Sequence, residues 1–340
     1  MDVLVTGGCG YIGTETVREL RRRGHEVTVI DDFSRTGLRP ADAFTFDRDV
    51  KIHVGRLSDI GERVMSDRGS KVFDAVIHLA AFAHVGESVR EPTLYLENNL
   101  SESIFLLGLL RRYGVSSVVF ASSCSVYGGM DFYGGQLLLR ENESCWPVSP
   151  YGVSKRAFEM ALQTYCGSDP KFTAIVLRYF NVVGASLESG VRWAPPSHRR
   201  ILDAIFEAID GGRFVVTGGG RSTYDGTAVR DYVHLKDVAF ANVLAIGGLG
   251  VKREFSTTFP APYEVFNIGR GIPVSVKTMM ETVMQVTGRK FAVAYTEGVS
   301  SDPDSAVADI TKAKEVLGWV PHHSLEEMIE SAWKWRQRIA

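Results

Sequence analysis

Residues 2–13 read DVLVTGGCGYIG, a run that begins as an apolar strand, breaks into glycines and continues into a helix. Gly7, Gly10 and Gly13 permit a tight turn, a close approach of backbone to a pyrophosphate and close packing of helix on strand. The start of the helix offers unpaired N–H groups and the positive end of its dipole. The run therefore predicts a dinucleotide site, although glycine-rich turns also join strands to helices without binding a ligand.

The residues that follow this turn indicate which dinucleotide it holds. A second strand, EVTVI at residues 26–30, ends at Asp31 and Asp32. A carboxylate at this position is placed to bond a ribose 2′-hydroxyl and to repel a 2′-phosphate. The sequence thus favours NAD over NADP, although Arg35 lies close to these carboxylates in the sequence and keeps NADP as an alternative.

Further apolar strands alternate with helices along the first half of the chain. Residues 73–81 form a continuous apolar strand that runs into small residues, and residues 115–123 form another that ends in hydroxyls. This alternation predicts an α/β fold, a doubly wound parallel sheet with ligands at the carboxyl ends of its strands. Asp59, after the third strand, could reach an adenine amino group or could cap the next helix.

Composition excludes several classes of function. A chain of 340 residues with 45% hydrophobic residues is typical of a globular enzyme, and its net charge of −2 argues against nucleic acid as a partner. The four cysteines lack the paired short spacing of a zinc site, so no metal is expected, and a reducing, cytoplasmic location fits them best. No apolar run is long enough to suggest a membrane span.

A second informative stretch is SPYGVSK at residues 149–155. Ser149 is predicted to cap a helix that begins at Pro150, which places Tyr151 and Lys155 on one helix face. An ammonium near a phenol lowers the pKa of the phenol, and a nicotinamide cation would lower it further, so Tyr151 is a candidate general base. The alternative is an exposed tyrosine lying over a lysine stem.

These two motifs together resemble the extended short-chain dehydrogenase/reductase superfamily, and within it the NAD-dependent sugar epimerase/dehydratase family. Other stretches are similar in pattern to the UDP-galactose (UDP-glucose) 4-epimerases: HLAA at 78–81, VGESV at 85–89, SSCSVYG at 122–128, LRYFNVVGA at 177–185, DGTAVRDYVH at 225–234 and FNIG at 266–269. The resemblance covers nearly the whole chain.

The resemblance implies a Rossmann-type domain that holds NAD and a smaller, interleaved C-terminal α/β domain that holds a nucleotide sugar. The first would span 1–180 with returns near 230–260, and the second mainly 181–230 and 261–340. The implied cofactor residues are Gly7, Gly10, Tyr11, Ile12, Gly13, Asp31, Asp32, Asp59, Ala80, Asn98, Ser122, Lys155 and Tyr179. The implied substrate residues are Ser123, Cys124, Ser125, Asn181, Arg192, Thr217, Arg230 and Asp302.

The implied reaction inverts C4 of a nucleotide-diphosphate sugar through a transient 4-ketosugar. Tyr151 would take the proton of the 4-hydroxyl, Ser123 would bond the same oxygen, and Lys155 would hold the nicotinamide ribose. A related dehydratase, a UDP-uronic acid epimerase or decarboxylase, and a non-catalytic NAD-binding regulator are the alternatives. Dehydratases of this family carry an Asp-Glu pair where this chain has Cys124 and Ser125, which disfavours elimination. Relatives are often dimers through two helices of the cofactor domain.

Four positions depart from the family pattern on the substrate side. Val299 replaces an arginine that usually clamps the diphosphate, and Thr217 replaces an aromatic residue that usually stacks on the base. Ala83 replaces a common lysine, and Ala306 falls where a bulky residue often limits the sugar. The candidates for a second phosphate contact are Arg192, Arg199, Arg200 and Arg221.

Overall fold

A computed structural model describes residues 1–36, 40, 43–44, 47–128, 138–188, 200–217, 220–249, 262–296 and 303–339. Their strands are β1 (Asp2–Thr6), β2 (Glu26–Asp31), β3 (Lys51–Val54), β4 (Ala75–His78), β5 (Ser117–Ser123), β6 (Thr173–Tyr179), β7 (Asn181–Val183), β8 (Arg213–Thr217), β9 (Val229–His234), β10 (Tyr263–Ile268), β11 (Pro273–Ser275), β12 (Ala292–Thr296) and β13 (Ser305–Ala306).

The helices of the same residues alternate with these strands through most of the chain. They are α1 (Tyr11–Arg22), α2 (Leu57–Ser66), α3 (Val85–Arg90), α4 (Pro92–Tyr95), α5 (Glu102–Arg112), α6 (Pro150–Ser168), α7 (Ile201–Ile209), α8 (Leu235–Leu249), α9 (Val276–Thr287), α10 (Thr311–Glu315) and α11 (Leu325–Ile339). Among the described helices, none is long and apolar enough to cross a membrane.

Seven strands form the large sheet, in the order β10-β6-β5-β4-β1-β2-β3, and every pairing in it is parallel. Val3 and Val5 belong to the apolar core on one face, whereas Leu4 belongs to the core on the other. Successive side chains of a strand point to opposite faces, so an uninterrupted apolar strand fits a sheet covered on both sides. The predicted doubly wound sheet is confirmed.

A smaller unit is built from later parts of the chain. Strands β7, β9, β11 and β13 form one sheet, β8 and β12 form a two-stranded sheet, and helices α7, α9 and α11 contribute to a third apolar core. Strand β10 falls in the range 261–340, which was expected to belong mainly to the smaller domain. It instead pairs with β6 in the large sheet. Its buried residues Phe266 and Ile268 complete the core of the large sheet, which local sequence does not reveal.

Two local features place residues at the carboxyl ends of the strands. The Ser149 hydroxyl accepts the Gly152 N–H at 3.1 Å, so α6 begins at Pro150, as predicted. The segment before α5 forms a π-helical turn at Leu96–Ser101. Within this turn, the Asn99 side chain bonds both the N–H and the carbonyl of Phe82, which fixes the loop after β4.

Candidate active site

The turn after β1 is packed too closely for any residue but glycine at two positions. Gly7 has a φ of +69°, and a Cβ atom on it would lie 2.6 Å from the Ala80 backbone nitrogen. A Cβ atom on Gly13 would collide with the Gly7 carbonyl oxygen. The turn, the loop after β4 and the start of α1 therefore form a backbone cradle that a side chain would fill, which fits the pyrophosphate of a dinucleotide.

A cavity of about 280 Å³ opens from this cradle along the carboxyl ends of the strands. Twelve of the thirteen predicted cofactor residues line it: Gly7, Gly10, Tyr11, Ile12, Gly13, Asp31, Asp32, Ala80, Asn98, Ser122, Lys155 and Tyr179. Asp59 does not line it, because α2 begins at Leu57 and Asp59 is exposed in its first turn. Gly55, Arg56 and Leu57 form that wall instead.

The two acidic residues after β2 are held differently. Asp31 is buried and accepts the Cys9 N–H at 2.9 Å and the Phe33 N–H at 2.8 Å. Burial raises the pKa of Asp31, and these two backbone N–H groups oppose that rise. Asp32 accepts the N–H and the hydroxyl of Ser34. Both carboxyl groups thus line the cavity at the position expected for a ribose hydroxyl.

Sequence reasoning missed several residues of the cavity wall, among them Phe82 and His84 in the loop after β4. Their position after a parallel strand was the available signal. Arg200, one of the candidates for a second phosphate contact, lies at the start of α7 in the smaller unit and also lines the cavity. Its guanidinium lies 3.8 Å from the centre of the Tyr11 ring, and the Tyr11 hydroxyl bonds the Gly184 carbonyl.

The three predicted catalytic residues meet at one end of the cavity. The Ser123 hydroxyl lies close enough to the Tyr151 phenol to lower the pKa of that phenol, and the Lys155 ammonium lies 6.0 Å from the centre of the Tyr151 ring. Lys155 donates to the Ala121 carbonyl at 2.7 Å. All three side chains are buried, and Tyr151 and Lys155 line the cavity. The alternative of an exposed tyrosine on a surface helix is wrong.

Burial dominates the pKa values of both members of this pair. It raises the pKa of Tyr151 to about 12 and outweighs the nearby Ser123 hydroxyl, which lowers that pKa. Burial also lowers the pKa of Lys155 to about 7, because its ammonium is withdrawn from water. That Lys155 and a nicotinamide cation together lower the pKa of the phenol stays a prediction.

A buried charge network lies directly behind the catalytic residues. Ser122 donates to Glu159 at 2.6 Å, and Arg178 contacts both oxygens of Glu159 at 3.0 and 2.8 Å. Arg156 adds a fourth contact to Glu159 at 3.0 Å. Because Glu159 and Lys155 are one turn apart on α6, this carboxylate favours the charged form of the lysine.

The predicted substrate residues that the structure describes do not line the cavity, and three of them, Asn181, Thr217 and Arg230, belong to the strands of the smaller unit. Arg230 on β9 donates to the Val229 carbonyl at 2.8 Å and lies close enough to Cys124 to lower the pKa of its thiol. Burial is the larger effect and raises that pKa to about 11, so the thiol stays protonated near neutral pH. The Ser125 N–H donates to the Ser123 hydroxyl oxygen at 3.2 Å.

The remaining predicted substrate residues are only partly described. The Asn181 amide donates to the Asp231 carbonyl at 3.2 Å, next to Arg230. Thr217 is exposed at the end of β8, and Ala306 pairs with Arg230 across β13 and β9. Arg221 contacts Asp304 at 2.9 Å. Arg192, Arg199, Val299 and Asp302 lie outside the described residues.

Comparison with known proteins agrees with this geometry. A UDP-glucose 4-epimerase of Lactobacillus helveticus is 38% identical over 346 aligned residues, which cover 99% of this chain and 97% of that protein. A Stenotrophomonas maltophila UDP-glucose 4-epimerase, solved with NAD and formylated UDP-arabinopyranose, superposes with a TM-score of 0.90 at 31% identity, covering 100% of this chain and 98% of that one.

A second solved structure is similar over the same length. The Bifidobacterium longum UDP-glucose 4-epimerase, in complex with NAD⁺ and UDP, has a TM-score of 0.87 and 30% identity, covering 99% of this chain and 98% of that one. The profile of the NAD dependent epimerase/dehydratase family matches residues 3–269. These matches confirm the predicted fold class, NAD as the cofactor and an NAD-dependent 4-epimerase. The chain belongs to the NAD-dependent epimerase/dehydratase family.

Proposed function

We propose that this enzyme inverts C4 of a nucleotide-diphosphate sugar, with Ser123, Tyr151 and Lys155 as its catalytic residues. The observation that carries the proposal is the position of Tyr151 at the end of the cofactor cavity, with the Ser123 hydroxyl and the buried ammonium of Lys155 both near its phenol ring. A protein that only bound NAD would have no need of this relay.

The side chains have separate tasks in this proposal. Tyr151 removes the proton of the sugar 4-hydroxyl and later returns it, and Ser123 bonds the same oxygen. When bound, NAD⁺ supplies the hydride acceptor at C4 and a positive charge. Together with Lys155, that charge opposes the burial that holds the pKa of Tyr151 at about 12. Lys155, fixed by the Ala121 carbonyl, keeps its ammonium beside the phenol.

The properties of Cys124 count against a dehydratase. Removal of water across C5 and C6 needs an acid and a base besides the tyrosine. Here the two positions hold a thiol whose pKa is raised to about 11 and a hydroxyl, Ser125. Neither group is a base near neutral pH, so the ketosugar is expected to be reduced again rather than dehydrated.

For the nucleotide, we propose UDP, which is the nucleotide in the names of the relatives above. Arg230 is proposed to contact the diphosphate, because a guanidinium can donate two parallel hydrogen bonds to phosphate. Asn181, Cys124 and Ser125 would line the sugar, and the small side chain of Ala306 opposite Arg230 leaves space for a substituted sugar. The exposed Thr217 offers no aromatic face to the base.

The division into domains is also a proposal. We assign the large sheet, with α8 and β10 as returns of the chain, to the cofactor, and the sheet around β9 to the substrate. Helix α8 packs against α1, since Arg23, the residue that follows α1, lies 4.9 Å from the ring centre of Phe240. Tyr179 also bonds Asn242 of α8 at 2.6 Å.

We further propose that two chains form a homodimer in the cytoplasm. Helices α5 and α6 leave Ile104, Phe105, Val153 and Met160 between 38% and 53% exposed, an apolar surface suited to a second copy. The four cysteines lie in the described part of the chain and form no disulfide there, which fits a reducing compartment. Sedimentation equilibrium at micromolar concentration should give twice the chain mass, and a monomer mass would contradict the dimer.

The reaction is tested with a panel of UDP-, dTDP-, ADP-, GDP- and CDP-sugars that includes a uronic acid, with product stereochemistry read by NMR. We expect the C4 epimer of a UDP-sugar. Tyr151→Phe should reduce turnover by about 10²- to 10⁴-fold while NAD stays bound, because only the proton acceptor is lost. Normal turnover in Tyr151→Phe would show that the base is another group, and loss of water from the sugar would indicate a dehydratase.

A further inference from the structure

An ion pair crosses the carboxyl end of β1, where the glycine turn lies. Arg35 follows β2 and Glu87 lies in α3 after β4, and their side chains meet at 3.1 Å. In the large sheet, β1 separates β2 from β4. Neighbouring strands are about 4.8 Å apart, so β2 and β4 are roughly 10 Å apart, and the two side chains meet between the segments that follow these strands.

An aromatic contact reinforces this crossing. The Arg35 guanidinium lies 4.0 Å from the centre of the Phe82 ring, within the range of a cation–π interaction. Arg35 and Phe82 both line the cavity that Gly7 and Gly10 also line. The guanidinium is therefore held on two sides, by a carboxylate and by an aromatic face, at the wall of the cofactor cavity.

The far side of the crossing is attached to the core and to the catalytic residues. The second oxygen of Glu87 accepts the Tyr95 hydroxyl at 2.7 Å, and that hydroxyl oxygen accepts the His84 N–H at 3.1 Å. Tyr95 is fully buried, and its ring packs edge-on against the rings of Phe82 and Tyr151. The position of Glu87 is thus fixed by contacts that do not depend on Arg35.

We propose that Arg35, Phe82 and Glu87 form a strap across the cofactor cleft that slows release of the bound dinucleotide. The side chains of the ion pair are only 28% and 22% exposed, so salt screens the attraction less than at an open surface. An enzyme that removes a hydride and returns it to the same sugar must keep the reduced cofactor between the two steps. The strap would slow release of the reduced cofactor through side chains that take no part in the reaction.

The strap also gives Arg35 a different task from the one the sequence left open. An arginine near the ribose can accommodate the 2′-phosphate of NADP. Here the guanidinium is directed toward Glu87 and Phe82, on the opposite side of β1 from the loop that carries it. The strap is therefore consistent with NAD as the cofactor.

The test measures the exchange of radiolabelled NAD, bound to the purified enzyme, against excess unlabelled NAD. Arg35→Ala and Glu87→Gln should each speed release about tenfold, the combined scale of a partly buried ion pair and a cation–π contact. Arg35→Lys keeps the charge but loses the planar contact with Phe82, and should give an intermediate rate. Arg112→Ala, which removes an ion pair with Glu62 that is 66% and 48% exposed, is the matched control and should release NAD at the unmodified rate.

The double variant Arg35→Ala/Glu87→Gln tests whether the two residues act as one unit or affect NAD release independently. If the residues act as one unit, the double variant releases NAD no faster than either single variant. Additive acceleration to about a hundredfold, unmodified rates in both single variants, or equal acceleration in Arg112→Ala would each overturn the strap. Release of NAD is measured without a sugar, so the outcome is independent of which sugar the enzyme uses.

Discussion

Lys155 and Glu159 lie one turn apart on α6, and both are buried, yet their surroundings differ. The ammonium of Lys155 has one close hydrogen-bond acceptor, the Ala121 carbonyl, and burial lowers its pKa to about 7. The carboxylate of Glu159 contacts Arg178 through both oxygens, together with Ser122 and Arg156. The positive charge of Lys155 is therefore incompletely compensated, whereas the negative charge of Glu159 is surrounded by hydrogen-bond donors.

This difference separates a reactive charge from a structural one. A buried charge that lacks a full set of partners responds to a ligand that changes the local field, which is what a catalytic group requires. A fully paired buried charge responds little, and its removal leaves its partners exposed to an apolar interior. Helix α6 therefore carries a catalytic charge, Lys155, on one turn and a charge that stabilises the fold, Glu159, on the next.

The largest effect is expected from Glu159→Ala, which breaks the structural charge network. The Arg178 guanidinium, only 2% exposed, would remain buried without its carboxylate, at a cost of about 3–5 kcal/mol in the free energy of unfolding. Urea denaturation gives this value directly. Glu62→Ala, in the exposed pair with Arg112, is the control and should change the free energy of unfolding far less, because solvent screens that pair. Equal losses in the two variants would remove the distinction between the networks.

The second effect is expected from Lys155→Met, which should lower turnover rather than the free energy of unfolding. Methionine keeps an apolar chain against Phe120 and removes a buried ammonium, so the free energy of unfolding should stay the same or rise. Turnover should fall by about a hundredfold, because the phenol loses the charge that opposes its raised pKa. Initial rates with the sugar identified by the panel measure this loss. Turnover within threefold of the unmodified enzyme would show that Lys155 is structural too.

The smallest effect concerns His78, a buried neutral group behind the same site. Its ring bonds the hydroxyls of Thr6 at 2.6 Å and Ser103 at 2.7 Å, and burial, assisted by the charge of Lys155, lowers its pKa to about 3. The unfolded chain binds the proton near the ordinary value of 6.5, whereas the folded chain does not until about 3. The contribution of neutral His78 is therefore complete above pH 6.5 and is lost as the pH falls toward 3.

The slope of stability against pH provides the measurement. Below pH 6.5, His78 should contribute a loss of at most about 1.4 kcal/mol per pH unit to the free energy of unfolding. His78→Gln can still bond the two hydroxyls but does not titrate, so its slope between pH 6.5 and 4.5 should be shallower by that amount. Parallel slopes in the two proteins would mean that the ring is protonated in the folded state.

Several features were predictable because each depends on a short stretch of chain. The glycine turn, Asp31 after β2 and the pair Tyr151 and Lys155 are set by strand ends and helical spacing, and the structure places all of them on one cavity. The helix start at Pro150 follows from the Ser149 cap in the same way. Asp59 lies within the first turn of α2 rather than before it, because the first residue of a helix is poorly defined by sequence, and its contact with adenine stays a prediction.

By itself, then, the sequence determined the parallel sheet, the dinucleotide turn and the catalytic tyrosine with its lysine, since backbone sterics, strand alternation and helical period act over a few residues. Only the tertiary structure decided that Arg35 crosses β1 to Glu87, that Arg200 reaches Tyr11 and that β10 joins the large sheet. It also decided the protonation of Tyr151 and Lys155, because burial depends on every segment that packs around a group, and it outweighs the attraction of the nearest charge.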